Sequence, residues 1–237
     1  VLLGNEKELI RFDMSEFMEK HNVSKLIGSP PGYQGSDEGG SLTNAVRANP
    51  YSIILLDEVE KAHPDILKIF LQVFDDGRLT DAKGLTVSFS FTTVIMTSNL
   101  GVRNINYADF EKLPEEKRHA YIKLIMAPAV KEHFPPEFLN RLDDILYFNT
   151  LSNETIIKIT KSKITKVLRR FQEKGKDVSL SADVYEYISK KGYSFEYGGR
   201  YLNRTIEEVL LKGLTKYALN HPGAQKIKCL MNEKLEV

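Results

Sequence analysis

The chain has little that would tie it to an oxidising compartment, a membrane or a polyanion. Among its 237 residues there is a single cysteine, Cys229, so no internal disulfide can form and a reducing compartment is expected. Cys229 lies in an apolar run near the C-terminal end, which predicts a small buried core residue rather than a reactive thiol. No run of about 18 apolar residues occurs, so no membrane-spanning helix is expected. Val1-Leu2-Leu3 has neither the basic segment nor the long apolar run of a secretory signal. It reads as the end of a helix begun upstream, and secretion is not expected. The formal net charge is only +1, which argues against nucleic acid as the main partner. Internal repeats and low-complexity segments are missing too. So is any Gly-Lys-Ser/Thr: Gly175-Lys176 is followed by Asp177, and the glycine-rich loop and lysine that cradle nucleotide phosphates are not in this sequence.

What is present is an ordinary globular balance, 42% hydrophobic and 27% charged, enough for one large domain plus a small one. Residues 1–150 alternate apolar runs, amphipathic stretches and glycine-rich loops. Leu9 to Asp13, Ile53 to Leu56 and Thr93 to Thr97 read as strands buried on both faces, with a helix over Asp65 to Phe74 between two of them. This pattern predicts an α/β fold with a parallel sheet and right-handed crossovers. Over residues 151–237 the texture changes to a small, mainly helical α/β domain. Ser152 is an N-cap with Glu154 in the first turn, and Ile157, Ile164, Val167, Leu168 and Phe171 fall on one helix side. A Val178-Ser179-Leu180 strand, a helix through Val184 and Ile188, a long helix after Gly199 and a strand over Gln225 to Met231 follow.

The sharpest chemical signal is Ile53-Ile54-Leu55-Leu56-Asp57-Glu58. Ligands of a parallel sheet bind beyond the carboxyl ends of its strands, where two acids after four apolar residues are poorly explained as solvated surface. An aspartate there can hold magnesium, usually through water, beside nucleotide phosphates. The next carboxylate can orient or deprotonate an attacking water. Asn99, after the strand at Thr93, can bond a γ-phosphate or that water, or can simply start the turn before Gly101. Arg141 and Arg200 can converge on a phosphate, although a lone arginine is more often a surface ion-pair partner. Gly28 to Gly35 is no phosphate cradle. Glycines flanking one aromatic suggest a mobile loop that presents Tyr33, or a tyrosine tucked over the sheet.

Six ordered stretches carry a resemblance: Arg11 to Phe17, Gly28 to Gly35, Leu56 to Asp65, Asp75 to Asp81, Met96 to Gly101 and Pro136 to Arg141. Together with Tyr197-Gly198-Gly199-Arg200 they resemble the second ATPase module of the ClpA/ClpB/ClpC (Hsp100) AAA+ chaperones, over nearly the whole chain. The resemblance implies an ATP-driven, magnesium-dependent motor that threads unfolded or aggregated polypeptide through a hexameric ring. Asp57 and Glu58 would be the Walker B acids and Asn99 the first sensor. Arg141 would be the finger offered to the adjacent subunit, and Arg200 the second sensor, reading nucleotide from the small domain. Tyr33, with Gly32, Gln34 and Gly35, would grip the threaded polypeptide. An Hsp70-type co-chaperone and a location in the cytoplasm or an organelle lumen are also implied.

Departures narrow the expectation. The family's phosphate loop would lie roughly ten to fifteen residues before Val1, so the 237-residue chain is expected to bind ATP poorly. Gln34 stands where valine is usual and Ser36 where a bulky residue is common; Gly199, Tyr201 and Leu85 also depart from the family pattern. Between Val102 and Pro128 there is no Ile-Gly-Leu/Phe or Val-Gly-Phe tripeptide of the kind that docks the protease ClpP, which favours a ClpB-like disaggregase over a ClpA- or ClpC-like feeder. A nucleic-acid-acting AAA+ protein would draw on Lys158, Lys161, Lys163, Lys166, Arg169, Arg170, Lys174 and Lys176, but these fill the polar side of an amphipathic helix and read as a solvated face. A purely structural scaffold fits poorly with a full set of acids and arginines.

Overall fold

A computed structural model describes residues 9–29, 32, 39–193, 198–231 and 235–236. The chain divides into two compact units: Val1–Asn106 with Lys112–Tyr147, and Tyr107–Glu111 with Phe148–Val237.

The first unit is built on a parallel sheet. Strands β1 (Leu9–Asp13) and β2 (Ile53–Asp57) pair in register, Asp13 opposite Asp57, with α1 (Val23–Ile27) and α2 (Ser41–Ala48) between them in sequence. Helix α3 (Pro64–Asp76) leads to a hairpin of β3 (Arg78–Thr80) and β4 (Thr86–Ser88), and β5 (Thr93–Met96) returns to pair with β2. The described sheet order is β1-β2-β5, so β2, which carries the acids, is central. The expected parallel α/β architecture is therefore present.

Burial along the strands corrects one detail of the sequence reading. Ile54 and Leu56 are fully buried, whereas Ile53 and Leu55 are half-buried and Ile95 is exposed. One sheet face packs a continuous core with Met14, Leu42, Ile66, Phe70 and Phe138, and the other is more open among the described residues. An unbroken apolar run does not reveal this, because its period-two signal is hidden when both faces carry Ile and Leu.

Helix α3 starts and stops on local chemistry. His63 Nδ1 accepts from the Asp65 N–H at 3.2 Å, Pro64 fills the first turn, and Gly77 at φ +62° terminates it. Helix α4 (Tyr107–Lys112) follows a turn after β5; α5 (Glu115–His133) and the short α6 (Pro136–Leu139) come next.

The second unit begins its main body with α7 (Asn153–Gln172), capped by Ser152, whose hydroxyl accepts from Thr155 N–H at 3.2 Å. Its buried column is Ile156, Thr160, Ile164 and Leu168, spaced by four, so the inward face lies beside the one predicted and Ile157 is only half-buried. Thr160 enters that column because its hydroxyl is satisfied twice, by the Ile156 carbonyl at 2.8 Å and by Ser189 of α8 (Ala182–Gly192) at 2.9 Å. Strand β6 (Asp177–Leu180) pairs in parallel with β7 (Lys226–Met231), which β8 (Leu235–Glu236) joins antiparallel. Helix α9 (Leu202–Thr205), a π-type segment over Ile206–Leu211 and α10 (Lys212–Asn220) form the long helical run. Leu202, Ile206, Leu210 and Leu214 line the core with Cys229, whose thiol pKa burial pushes up to about 11. The cysteine is a core residue.

Candidate nucleotide-hydrolysis site

The carboxyl end of β2 is tied to its neighbours through Asp57. Asp57 lies two residues beyond Leu55, the register partner of Arg11, so Arg11 and Asp57 share a sheet face and form an ion pair. The other carboxylate oxygen accepts from the Thr97 hydroxyl, just past the end of β5. These bonds hold the Asp57 carboxyl below its ordinary range, the Thr97 hydroxyl contributing most and Arg11 next. Asp13, its partner across the strands, is lowered too, chiefly by Ser15.

Glu58 leaves the strand line at once. It is the one non-glycine among the described residues with positive φ, at +57° with ψ 48°. A residue with a Cβ pays about 1–2 kcal/mol in this left-handed conformation, which persists only where surrounding bonds determine it. Those bonds are present. Glu58 N–H donates to the Thr97 hydroxyl at 3.2 Å, and Val59 N–H donates to the Thr97 carbonyl at 3.0 Å. The Glu58 carboxylate pairs with Lys61 three residues on, which raises the pKa of that lysine.

Asn99 lies beside this turn. Its backbone N–H donates to Glu60 Oε1 at 3.1 Å, and its carbonyl accepts from Val102 N–H at 3.3 Å, ahead of Gly101 at φ +79°. Asn99 is thus both a turn residue and a neighbour of the acids. Asp57, Glu58 and Asn99 are brought together at one end of the sheet. Sequence pattern assigns no role to Arg11, Thr97, Glu60 or Lys61; only the Glu58-to-Lys61 spacing, one helical turn, could have flagged a pair.

Arg141 follows α6 and is ion-paired with Asp75 near the end of α3, rather than with either acid. Arg200 is exposed in the second unit, two residues before α9. Gly32 is exposed at φ +89°, while Tyr33, Gln34 and Gly35 lie outside the described residues. The base of their loop is described. Gly28, at φ +92°, meets Gly39 and Gly40 so closely that a Cβ on it would sit 3.2 Å from the Gly40 nitrogen. Both ends of the loop are thereby held together. Leu85 is half exposed in the turn of the β3–β4 hairpin, which Asp81 organises by accepting from the N–H groups of Lys83 and Leu85, each at 2.9 Å.

No group of three or more His, Cys, Asp or Glu able to cage a metal occurs among the described residues. The donor set still fits magnesium, a cation usually held by one or two carboxylates, water and substrate phosphates. Asp57, kept ionised with both oxygens already engaged, suits a contact made through water.

A parallel sheet bearing two acids at the end of its central strand, with an asparagine beside them, is the arrangement of a nucleoside-triphosphatase core. The chain belongs to the AAA family: residues 1–145 match the AAA domain (Cdc48 subfamily), and residues 151–229 match the C-terminal, D2-small domain of ClpB protein. Among curated relatives it is 47% identical over 236 residues to the chaperone protein ClpB of Propionibacterium freudenreichii, covering 98% of this chain and 26% of that protein. It is 44% identical over 225 residues to the ClpB of Prochlorococcus marinus, covering 95% of this chain and 26% of that protein. It is 45% identical over 222 residues to the ATP-dependent Clp protease ATP-binding subunit ClpC of Staphylococcus saprophyticus, covering 92% and 27%. The chain therefore spans about a quarter of the length of these relatives. Its resemblance to the Clp chaperone ATPases is a shared ancestry over nearly all of its residues.

Proposed function

We propose that the chain is the hydrolytic module of a ring-forming ATPase that threads unfolded or aggregated polypeptide, with residues 1–150 as nucleotide-binding domain and 151–237 as sensor domain. The observation that carries this reading is the joining of Asp57, Glu58 and Asn99 at the end of β2 and β5 through Thr97 and Glu60. Asp57 would hold magnesium through water, and that ion would neutralise charge on the β- and γ-phosphates. Glu58 orients the attacking water or takes its proton. The Asn99 carboxamide donates to the γ-phosphate or to the same water. Arg141 exchanges Asp75 for the phosphate of an adjacent subunit in a hexamer, and Arg200 senses nucleotide from the second domain. Tyr33, carried with Gly32, Gln34 and Gly35 on the loop pinned at Gly28 and Gly40, grips the polypeptide.

Within the family the ClpB-like role, disaggregation with an Hsp70-type co-chaperone in the cytoplasm or an organelle lumen, is favoured by the lack of a ClpP-docking tripeptide between Val102 and Pro128. The ClpC-like alternative is a feeder of ClpP. Adding ClpP to the full-length protein separates them, because degradation of a tagged substrate identifies the feeder. Threading itself is tested by Tyr33→Ala in the full-length protein. ATP hydrolysis should persist while unfolding of a tagged substrate is lost; loss of both together contradicts this division of labour.

A further inference from the structure

Glu60 carries its carboxylate inward from the acid turn. Oε1 accepts from the Asn99 backbone N–H at 3.1 Å, and Oε2 is buried without a hydrogen-bond partner among the described residues. The turn does not need this carboxylate. It is held by other bonds: Lys61 N–H to the Glu58 carbonyl at 2.9 Å, Ala62 N–H to the Val59 carbonyl at 3.2 Å, Val59 N–H to the Thr97 carbonyl at 3.0 Å, Glu58 N–H to the Thr97 hydroxyl at 3.2 Å and the Glu58–Lys61 ion pair. Burying a carboxylate oxygen without a partner is unfavourable, so such a group in a folded protein calls for an explanation. The bond that the inward carboxylate does make is the one to the Asn99 N–H.

The amide held in this way belongs to Asn99. Strand β5 ends at Met96, and the last backbone bond from its end to β2 runs from Thr97 N–H to the Leu56 carbonyl at 2.9 Å. Asn99 is two residues past that bond. Its remaining backbone tether is the 3.3 Å bond from Val102 N–H, within its own loop. Among the described residues, Glu60 is therefore what bonds Asn99 itself to the segment bearing Glu58, while Thr97, two residues earlier, makes the other bonds to it.

We infer that Glu60 is a positioning residue for hydrolysis, bracing Asn99 so that its carboxamide and the Glu58 carboxylate address the same water. The inference rests on the ATPase reading above. One rigid turn carries the base at its first position and the brace two residues later, so the two groups keep their spacing when the turn moves. Misplacement by about 1 Å in such a pair can cost on the order of 100-fold in rate.

Steady-state hydrolysis by the full-length protein tests this. Glu60→Ala should lower kcat at least tenfold with KM for ATP within about twofold, the split that marks an interaction made in the transition state. Glu60→Gln keeps an amide oxygen for the Asn99 N–H and should stay within about threefold of the parent. Combined with Asn99→Ala, Glu60→Ala should add almost nothing, because residues acting as a unit are not additive. Should Glu60→Ala fail to fold, Glu60→Asp replaces it: the charge is kept, the reach is one methylene short, and kcat should fall while Gln retains it. An unchanged kcat in the Ala or Asp variant, a Gln variant as slow as either, or multiplicative losses with Asn99→Ala overturn the role of Glu60. A parent protein that hydrolyses no ATP overturns instead the reading on which it rests.

Discussion

Arg141 and Asp75 form an ion pair that joins the second residue after α6 to the last turn of α3. The two side chains are 51% and 44% exposed, so water screens the attraction and the pair contributes at most about 1 kcal/mol to folding. Asp75→Ala and Arg141→Ala should each change unfolding free energy by less than about 1 kcal/mol in urea titrations. Hydrolysis by the full-length protein should separate them. Arg141→Ala should lose on the order of 10³-fold, as for removal of a finger, while Asp75→Ala should be as active as the parent. Equal losses would assign Arg141 to a local structural role.

Asp57 gives a pH signature. Its folded-state pKa lies below the ordinary value of 3.8, chiefly through the Thr97 hydroxyl, so its contribution to stability is complete above 3.8 and is lost as the pH falls below it through the folded value. Thr97→Val should raise the Asp57 pKa toward 3.8 and move acid unfolding to higher pH, whereas Thr97→Ser should not. Carbon-detected NMR titration of the aspartate carboxyls reads both. An Asp57 pKa unmoved in the valine variant would contradict the assignment.

The glycine base of the Tyr33 loop predicts a sharp steric effect. A Cβ on Gly40 would sit 2.5 Å from the Ile27 Cα, with backbone rather than a flexible side chain as the obstacle. Gly40→Ala should therefore cost roughly 1–3 kcal/mol by overpacking, read as a lowered denaturant midpoint. Gly84→Ala, which meets no atom within 4 Å but sits at φ +81°, should cost about 1 kcal/mol from backbone strain alone. Similar losses in the two variants would mean that the contact at Gly40 relaxes freely.

The 237 residues hold no Gly-Lys-Ser/Thr, so calorimetric titration of this chain with ATP should give no binding tighter than about 1 μM. Sub-micromolar affinity would show that Asp57 and its neighbours bind nucleotide without a phosphate cradle.

Much of this arrangement was legible in the sequence, for identifiable reasons. Four apolar residues followed by Asp57 and Glu58 fix a strand and its acid tip together, and Ser152 marks the start of α7 by capping chemistry that is local. Cys229 could be assigned to the core from its apolar surroundings. What escaped was non-local. Thr97 and Asp57 are 40 residues apart, and Arg11 and Asp57 46, so no spacing rule connects them. The left-handed turn at Glu58 has no residue signature, because glycine or asparagine would be the usual occupant and a glutamate is held there by Thr97. The unequal burial of the two sheet faces among the described residues was concealed by Ile and Leu on both faces of β2.

The central claim is that the acids at the end of β2 hydrolyse ATP, and Glu58→Gln in the full-length protein tests it most directly. The variant keeps the size of the side chain and removes its charge. The account predicts that ATP remains bound while its hydrolysis falls by at least about 10²-fold. Hydrolysis at the parent rate, with ATP bound as before, would contradict it.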